Sequence, residues 1–443
     1  MRSLAAVLHE AGWRVTGSDC TAIAPGDYAF PVFSPHARQN VPEGIHYLIH
    51  SDAVQCQNSE LTGAAEKGVP RKSYFQTLGD LMVGRIGVAV AGTHGKSTVT
   101  AMTAQCLINA GLDPTVVYGA APLHATHGGR LGHGPIVLVE ACEYRRNFLN
   151  LTPRYGVVLG VEPDHFDCFP SQKDLDDAFG EFVESIADGG FLLVRHECPR
   201  ARQAALSARC PTETCGFAPG ADWHAVIRDV DHGHYTLSLN HRHRQVITVR
   251  LCVPGRHQAI NAAAAAALSI RLGAPPAAVE NALSRFDGLR RRLQRIDCVN
   301  SVVFLDDFAH HPTEIDVTLA TIREMDPNRR LVCIFQPHQA GRTAALLDEM
   351  ALSLDNVDRL ALMEIFRARE GPARPGDVTS ADLAAAIRSN GGTVDAVLEE
   401  DGLTEYLRTT LRPGDWLLAM GAGDIGRKLH EALRRLKHER SAR

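Results

Sequence analysis

The run GTHGKST at residues 92–98 constrains this chain more than any other feature. It follows GVAVAG at residues 87–92, which reads as a buried parallel strand, and it opens a helical stretch from Lys96. Strand, glycine turn, lysine, hydroxyl and helix in that order make a phosphate cradle. Backbone amides at a helix N-terminus need close approach to oxygen, hence glycine at the turn. Gly92, Thr93, His94, Gly95, Lys96, Ser97 and Thr98 are therefore expected to bind ATP, with Lys96 on the terminal phosphates and the Ser97 hydroxyl on Mg2+. The match is not a strict Walker A, because Val90 stands where that pattern wants glycine, so a generic NTPase label is too loose.

Chemistry on ATP needs metal ligands beyond the loop, in the form of a few hard oxygens. Glu140 ends the apolar run IVLVE, and His165 follows another strand in VEPDHFD. Both would reach the carboxyl edge of a parallel sheet, where α/β ligand sites form. A lone strand-end glutamate is more often a cap or a surface charge. Three strand ends offering phosphate or metal groups at one edge are hard to obtain by accident. Lys96, Glu140 and His165 are thus the expected catalytic groups and Ser97, Glu140 and His165 the expected metal ligands, with Asp164 and Asp167 as nearby alternatives.

At 443 residues the chain is too long for one comfortable core and favours several domains. A formal net charge of -5 argues against broad attraction to nucleic acid, which needs a basic surface. The apolar runs fall far short of the roughly 20 residues that span a bilayer, so no membrane partner is expected. The 11 cysteines are scattered without a CxxC pair, and the opening residues lack a secretory pattern, which fits a reducing cytoplasm.

Strands and helices alternate along most of the chain, as α/β architecture requires. Residues 3–10 have helical spacing and residues 13–16 read as a strand, so the chain opens inside a βαβ unit whose second strand would end near Asp19. A new domain is expected to begin near Leu81 and a third around residues 286–292, giving divisions at 1–80, 81–288 and 289–443. Short alternating stretches at residues 223–253 predict hairpins in a small antiparallel sheet beside the main one. The GxGxxG at residues 421–426 suggests a dinucleotide site, but only 17 residues follow it, too few to complete such a unit. A tight strand-to-helix connection is the expected role, with a basic amphipathic helix as the tail.

Taken together, GTHGKST, VEACEYRRNF, EPDHFD and GRHQAINAAAA resemble the Mur ligases, and the resemblance runs through nearly the whole chain. DDFAHHPTEI at residues 306–315 and FQPHQAGRT at residues 335–343 look like the L-alanine-adding members. The resemblance implies an α/β fold of three domains: a Rossmann-like N-terminal domain, here incomplete, a central P-loop ATPase-type domain and a Rossmann-like C-terminal domain. It implies an ATP-dependent ligase that needs Mg2+. Such an enzyme phosphorylates the lactyl carboxylate of UDP-N-acetylmuramate and lets L-alanine attack the acyl phosphate, in peptidoglycan precursor synthesis. The ranked alternatives are the tripeptide-recycling ligase of the same family and a UDP-sugar-binding homologue with weak or no catalysis. By the same resemblance, Asn261 and Arg291 would contact the nucleotide, and Asp306 or Asp307 its ribose. His310, His338 and Arg342 would face the muramate or the amino acid.

Five positions depart from the family pattern. The usual EADESD reads EACEYR, putting Arg145 where a carboxylate is expected, and Gln258 and Gln339 replace an asparagine and an arginine. The chain also matches only from the methionine that normally follows a glycine-rich turn, so the uridine-diphosphate loop is expected upstream of Met1.

Overall fold

The computed structural model describes residues 1–20, 28–399 and 401–441. A ten-stranded sheet forms the centre. Its parallel part runs, in spatial order, Thr212–Gly216, Phe191–Arg195, Tyr155–Val158, Ile86–Ala91, Ile136–Glu140 and Thr115–Tyr118. Ile86–Ala91 lies between two neighbours and is covered on both faces, which explains its unbroken apolar sequence. Val88 and Val90 enter one hydrophobic cluster, with helices Lys96–Asn109 and Arg256–Arg271, while Ala89 and Ala91 enter the other, with helix Gln172–Glu184. That division is the two-residue period of a strand. Residues 262–267 are all buried alanines, small enough for Arg256–Arg271 to lie close against Lys96–Asn109.

The hairpin region does not make a separate sheet. Trp223–Asp231 pairs in parallel with Thr212–Gly216, and His234–His241 and Arg244–Pro254 extend the same sheet antiparallel. The edge of Thr212–Gly216 would otherwise leave a row of unpaired backbone groups, and the hairpins cover it.

A six-stranded sheet follows, in the order Gln294–Val299, Val302–Asp307, Trp416–Met420, Leu331–Phe335, Arg359–Met363 and Ala396–Leu398. Only its first pair is antiparallel. The GxGxxG run sits between Trp416–Met420 and the helix Ile425–Ser441, as a tight connection. A side chain at Gly421 would strike the Gln336 carbonyl, and one at Gly426 the Asp306 carboxylate, so both glycines answer to packing. Residues 442–443 of the basic tail lie outside the described residues.

Ahead of the central sheet, helix Arg2–Glu10 is followed by two short parallel pairs, Gly17–Ser18 with Val32–Phe33 and Leu48–His50 with Arg71–Ser73. Residues 13–16, expected as a strand, are irregular, because the partner strand offers only two residues for pairing. The helix docks on the central sheet: the Ser3 hydroxyl donates to the Tyr118 carbonyl at 2.7 Å and accepts from the Gly128 amide at 3.1 Å. Among the described residues, no helix is long and apolar enough to cross a membrane. The whole is α/β, with the two large sheets mostly parallel.

Candidate active site

The loop at residues 92–98 joins the central strand to its helix, and Gly95 caps that helix with φ 83°, a left-handed conformation suited to glycine. A Cβ there would lie 2.8 Å from Asn261 Oδ1, which places Asn261 against the loop. Lys96 Nζ donates to both Glu143 oxygens at 3.0 Å and to the Thr93 carbonyl at 3.1 Å. The side chains of this pair are only 12% and 2% exposed. Burial opposes both charges, but their attraction outweighs it, raising the Lys96 pKa and lowering that of Glu143.

Ser97 Oγ lies 2.9 and 2.8 Å from the two Glu140 oxygens, and Glu140 also accepts from the Gly119 amide at 2.7 Å. His165, at φ 53°, brings Nε2 to 3.5 Å from Glu143, and its backbone amide donates to Asp164 at 2.6 Å. Lys96 and His165 therefore meet on Glu143, while Ser97, the next residue along the loop helix, meets Glu140, both groups standing at the carboxyl edge of the same sheet. The His165 Nδ1 is buried without a partner, and Ser97 and Glu140 offer hard oxygens. The Ser97 and Glu140 oxygens fit a hard cation such as Mg2+.

Contacts from the six-stranded sheet region close over this edge. His94 Nδ1 donates to Glu314 at 3.0 Å, and its Nε2 lies 3.5 Å from Glu162 as an ion pair. Burial disfavours charge on His94, yet the pairing with Glu162 and Glu314 prevails and lifts its pKa to about 9. The Thr313 hydroxyl donates to Glu162 at 2.6 Å, and His311 Nε2 donates to the Pro163 carbonyl at 3.1 Å. Arg342, 4% exposed, clamps Asp164 at 2.8 and 2.7 Å. It also donates to His338 Nδ1 at 2.8 Å, which leaves Nε2 as the protonated nitrogen of His338. Burial, followed by the nearby His310 and Arg342, depresses the His338 pKa to about 3. The His338 ring meets His310 edge-on at 5.6 Å, and the His310 amide donates to Glu314 at 3.2 Å. His310, His338 and Arg342 thus share a continuous network with His94 and Asp164.

Arg291 and Asp306 form a second group, 3.5 Å apart, with Arg291 donating to the Gly421 carbonyl and lying over the Phe308 ring. Asp306 Oδ1 and Arg291 Nε are buried without hydrogen-bond partners, polar atoms suited to a ligand. Asp307 differs. It accepts from the Leu293 and Ala309 amides, which favour its charged form, but burial outweighs them and pushes its pKa up to about 6. Its oxygens hold the chain turn, leaving Asp306 as the more available of the two. Beside Asn261 a narrow cleft is lined by Leu159, Leu193, Arg195, Cys215 and Ile260.

Sequence reasoning left Glu143, Glu162, Glu314 and Tyr144 without roles. All four stand inside quoted motifs, so position within the motif was the available signal. His94, Glu162 and His311 also come close enough to suggest a second metal set. His311 does not fit one: its Nδ1 accepts from the Thr313 amide at 3.3 Å and its Nε2 carries the proton given to Pro163.

The chain matches the Mur ligase family catalytic domain at residues 1–85, the Mur ligase middle domain at 90–269 and the Mur ligase glutamate ligase domain at 291–423. It belongs to the Mur ligase family. Among its relatives, the UDP-N-acetylmuramate–L-alanine ligase of Desulfitobacterium hafniense is 37% identical, over 96% of this chain and 95% of its own. The crystal structure of the UDP-N-acetylmuramate–alanine ligase of Thermotoga maritima superposes with a TM-score of 0.82 at 24% identity, covering 100% of this chain and 96% of that one. A murein peptide ligase from Psychrobacter arcticus gives 0.74, also at 24%, covering 98% and 95%.

Proposed function

We propose that this chain joins L-alanine to the lactyl carboxylate of UDP-N-acetylmuramate at the expense of ATP, a step of peptidoglycan precursor synthesis in the cytoplasm. The observation that carries the reading is two contact groups at one sheet edge, Lys96 and His165 on Glu143 and Ser97 on Glu140. The names of relatives more than 30% identical over nearly the whole chain support the choice of substrates. The divisions at residues 81 and 289 belong to the same proposal, with nucleotide and acceptor held between the central and last domains.

In this reading a carboxylate oxygen of the lactyl group attacks the γ-phosphorus of ATP, and the bond to the ADP oxygen breaks. Lys96, kept cationic by Glu143, attracts the charge on the phosphoryl group in flight. Ser97, Glu140 and His165 would hold Mg2+, which supplies further neutralisation of phosphate charge when bound. Asn261 contacts the nucleotide from the loop side, while Arg291 and Asp306 reach it from the last domain. The alanine amine then attacks the acyl carbon, phosphate leaves, and the amine releases a proton. His338 stays neutral near pH 7 and keeps its proton on Nε2, so it serves as a hydrogen-bond donor to a substrate oxygen rather than as a base. Arg342, already spent on Asp164, positions His338 more than it binds substrate.

A mass-resolved product assay tests the reading. ATP, UDP-N-acetylmuramate and L-alanine should yield ADP and the alanyl product. Product formed only with the tripeptide L-alanyl-γ-D-glutamyl-meso-diaminopimelate would replace the reading with the recycling ligase. UDP-sugar binding without turnover would replace it with the binding homologue.

A further inference from the structure

The segment after Glu143 departs from the family pattern in this chain, and its side chains meet three parts of the molecule. Tyr144 is buried at 6% exposure and packs edge-on against His165, with ring centroids 5.1 Å apart. Its hydroxyl donates to Asp167 at 3.0 Å. Arg369, from the loop after strand Arg359–Met363, places its guanidinium carbon 3.9 Å from the Tyr144 ring centroid and a nitrogen 3.9 Å from Asp167. Arg145 lies 5.5 Å from the same centroid and donates to the Asp52 carbonyl at 2.7 Å, in the region ahead of the central sheet. Both Arg145 and Arg146 have left-handed backbone, at φ 52° and 55°. This strain persists only where surrounding contacts hold it.

We propose that Tyr144 is a positioning residue that ties the last domain, through Arg369, to the His165 side of the active site. A cation over an aromatic face is attractive without requiring one fixed torsion, so the contact can break and reform as the domains part and close. Closure then brings Arg369 onto the ring that packs against His165, and the two events become coupled. The serine usual in the family at this position has no ring to offer either partner.

This inference rests on the ligase reading for its kinetic arm only. Tyr144→Ser and Arg369→Ala are each expected to lower kcat by roughly 3- to 30-fold, with KM for ATP little changed. The double variant should be no slower than the worse single, because both break one contact. Tyr144→Phe, which keeps the ring, should retain most of the activity lost in Tyr144→Ser. Small-angle scattering of the full chain with Mg2+ and a non-hydrolysable ATP analogue should give a larger radius of gyration for Arg369→Ala than for the unaltered protein. Arg369 is partly exposed, so its variant carries the test if Tyr144→Ser fails to fold. Multiplicative losses in the double variant, or a radius unchanged in Arg369→Ala, would overturn the proposal. Absence of alanine-dependent turnover in the unaltered protein would sink the ligase reading and leave the scattering test in force.

Discussion

Lys96 and Glu143 illustrate how one buried pair serves both fold and chemistry. Removing the cation leaves a nearly inaccessible carboxylate without its main counter-charge, which typically costs about 3–5 kcal/mol. Lys96→Met should therefore lower kcat by roughly 10²-fold or more and also lower the melting temperature. Adding Glu143→Gln should recover part of the melting temperature and none of the activity, as calorimetry beside an ADP-release assay would show. His94 carries a pH dependence of definite sign. Its folded pKa of about 9 lies above the ordinary histidine value near 6.5, so its stabilising pairing with Glu162 and Glu314 is complete below about pH 6.5. That contribution fades as pH rises through 9. Melting temperatures between pH 6 and 9.5 should fall less steeply in His94→Gln than in the unaltered chain; parallel curves would refute the assignment.

Helices and strands locate these side chains, and their ends matter most. His311 caps helix Pro312–Met325 by accepting from the Thr313 amide while donating to Pro163 across to the central sheet region. His311→Ala should cost about 0.5–2 kcal/mol from the lost cap, measurable by denaturant unfolding, and more if the Pro163 contact contributes. At the other end of the chain, a side chain at Gly129 would collide with the Ser3 backbone. Gly129→Ala should destabilise by about 1–3 kcal/mol through displacement of helix Arg2–Glu10. The phosphate loop, Glu140 and His165 were legible in the sequence because each follows a short apolar strand, and strand ends of a parallel sheet share one edge. The pairing of His94 with Glu314, across 220 positions, was not legible, since no local spacing encodes how one sheet region sits over another. Arg369 gave no signal either, lying in an irregular loop. The hairpins were read correctly as hairpins, but their joining the main sheet depended on an edge strand that sequence periodicity does not identify.

At the scale of the molecule, the fold brings groups from distant parts of the chain around one cleft: the phosphate loop with Glu140 and His165 on the central sheet, and His310, His338 and Arg342 from the six-stranded sheet region. The contacts Arg342–Asp164, Thr313–Glu162 and Tyr235–Glu324 hold these regions together and describe a closed arrangement. Substrate entry requires that some of them part, and closure excludes water from a reactive acyl phosphate. The central claim is that this cleft activates a carboxylate by phosphorylation. It is tested most directly by following 18O placed in the lactyl carboxylate of UDP-N-acetylmuramate through one turnover with L-alanine. Transfer of one labelled oxygen into the inorganic phosphate is the predicted result. Release of unlabelled phosphate, with the displaced label appearing in water, would contradict it.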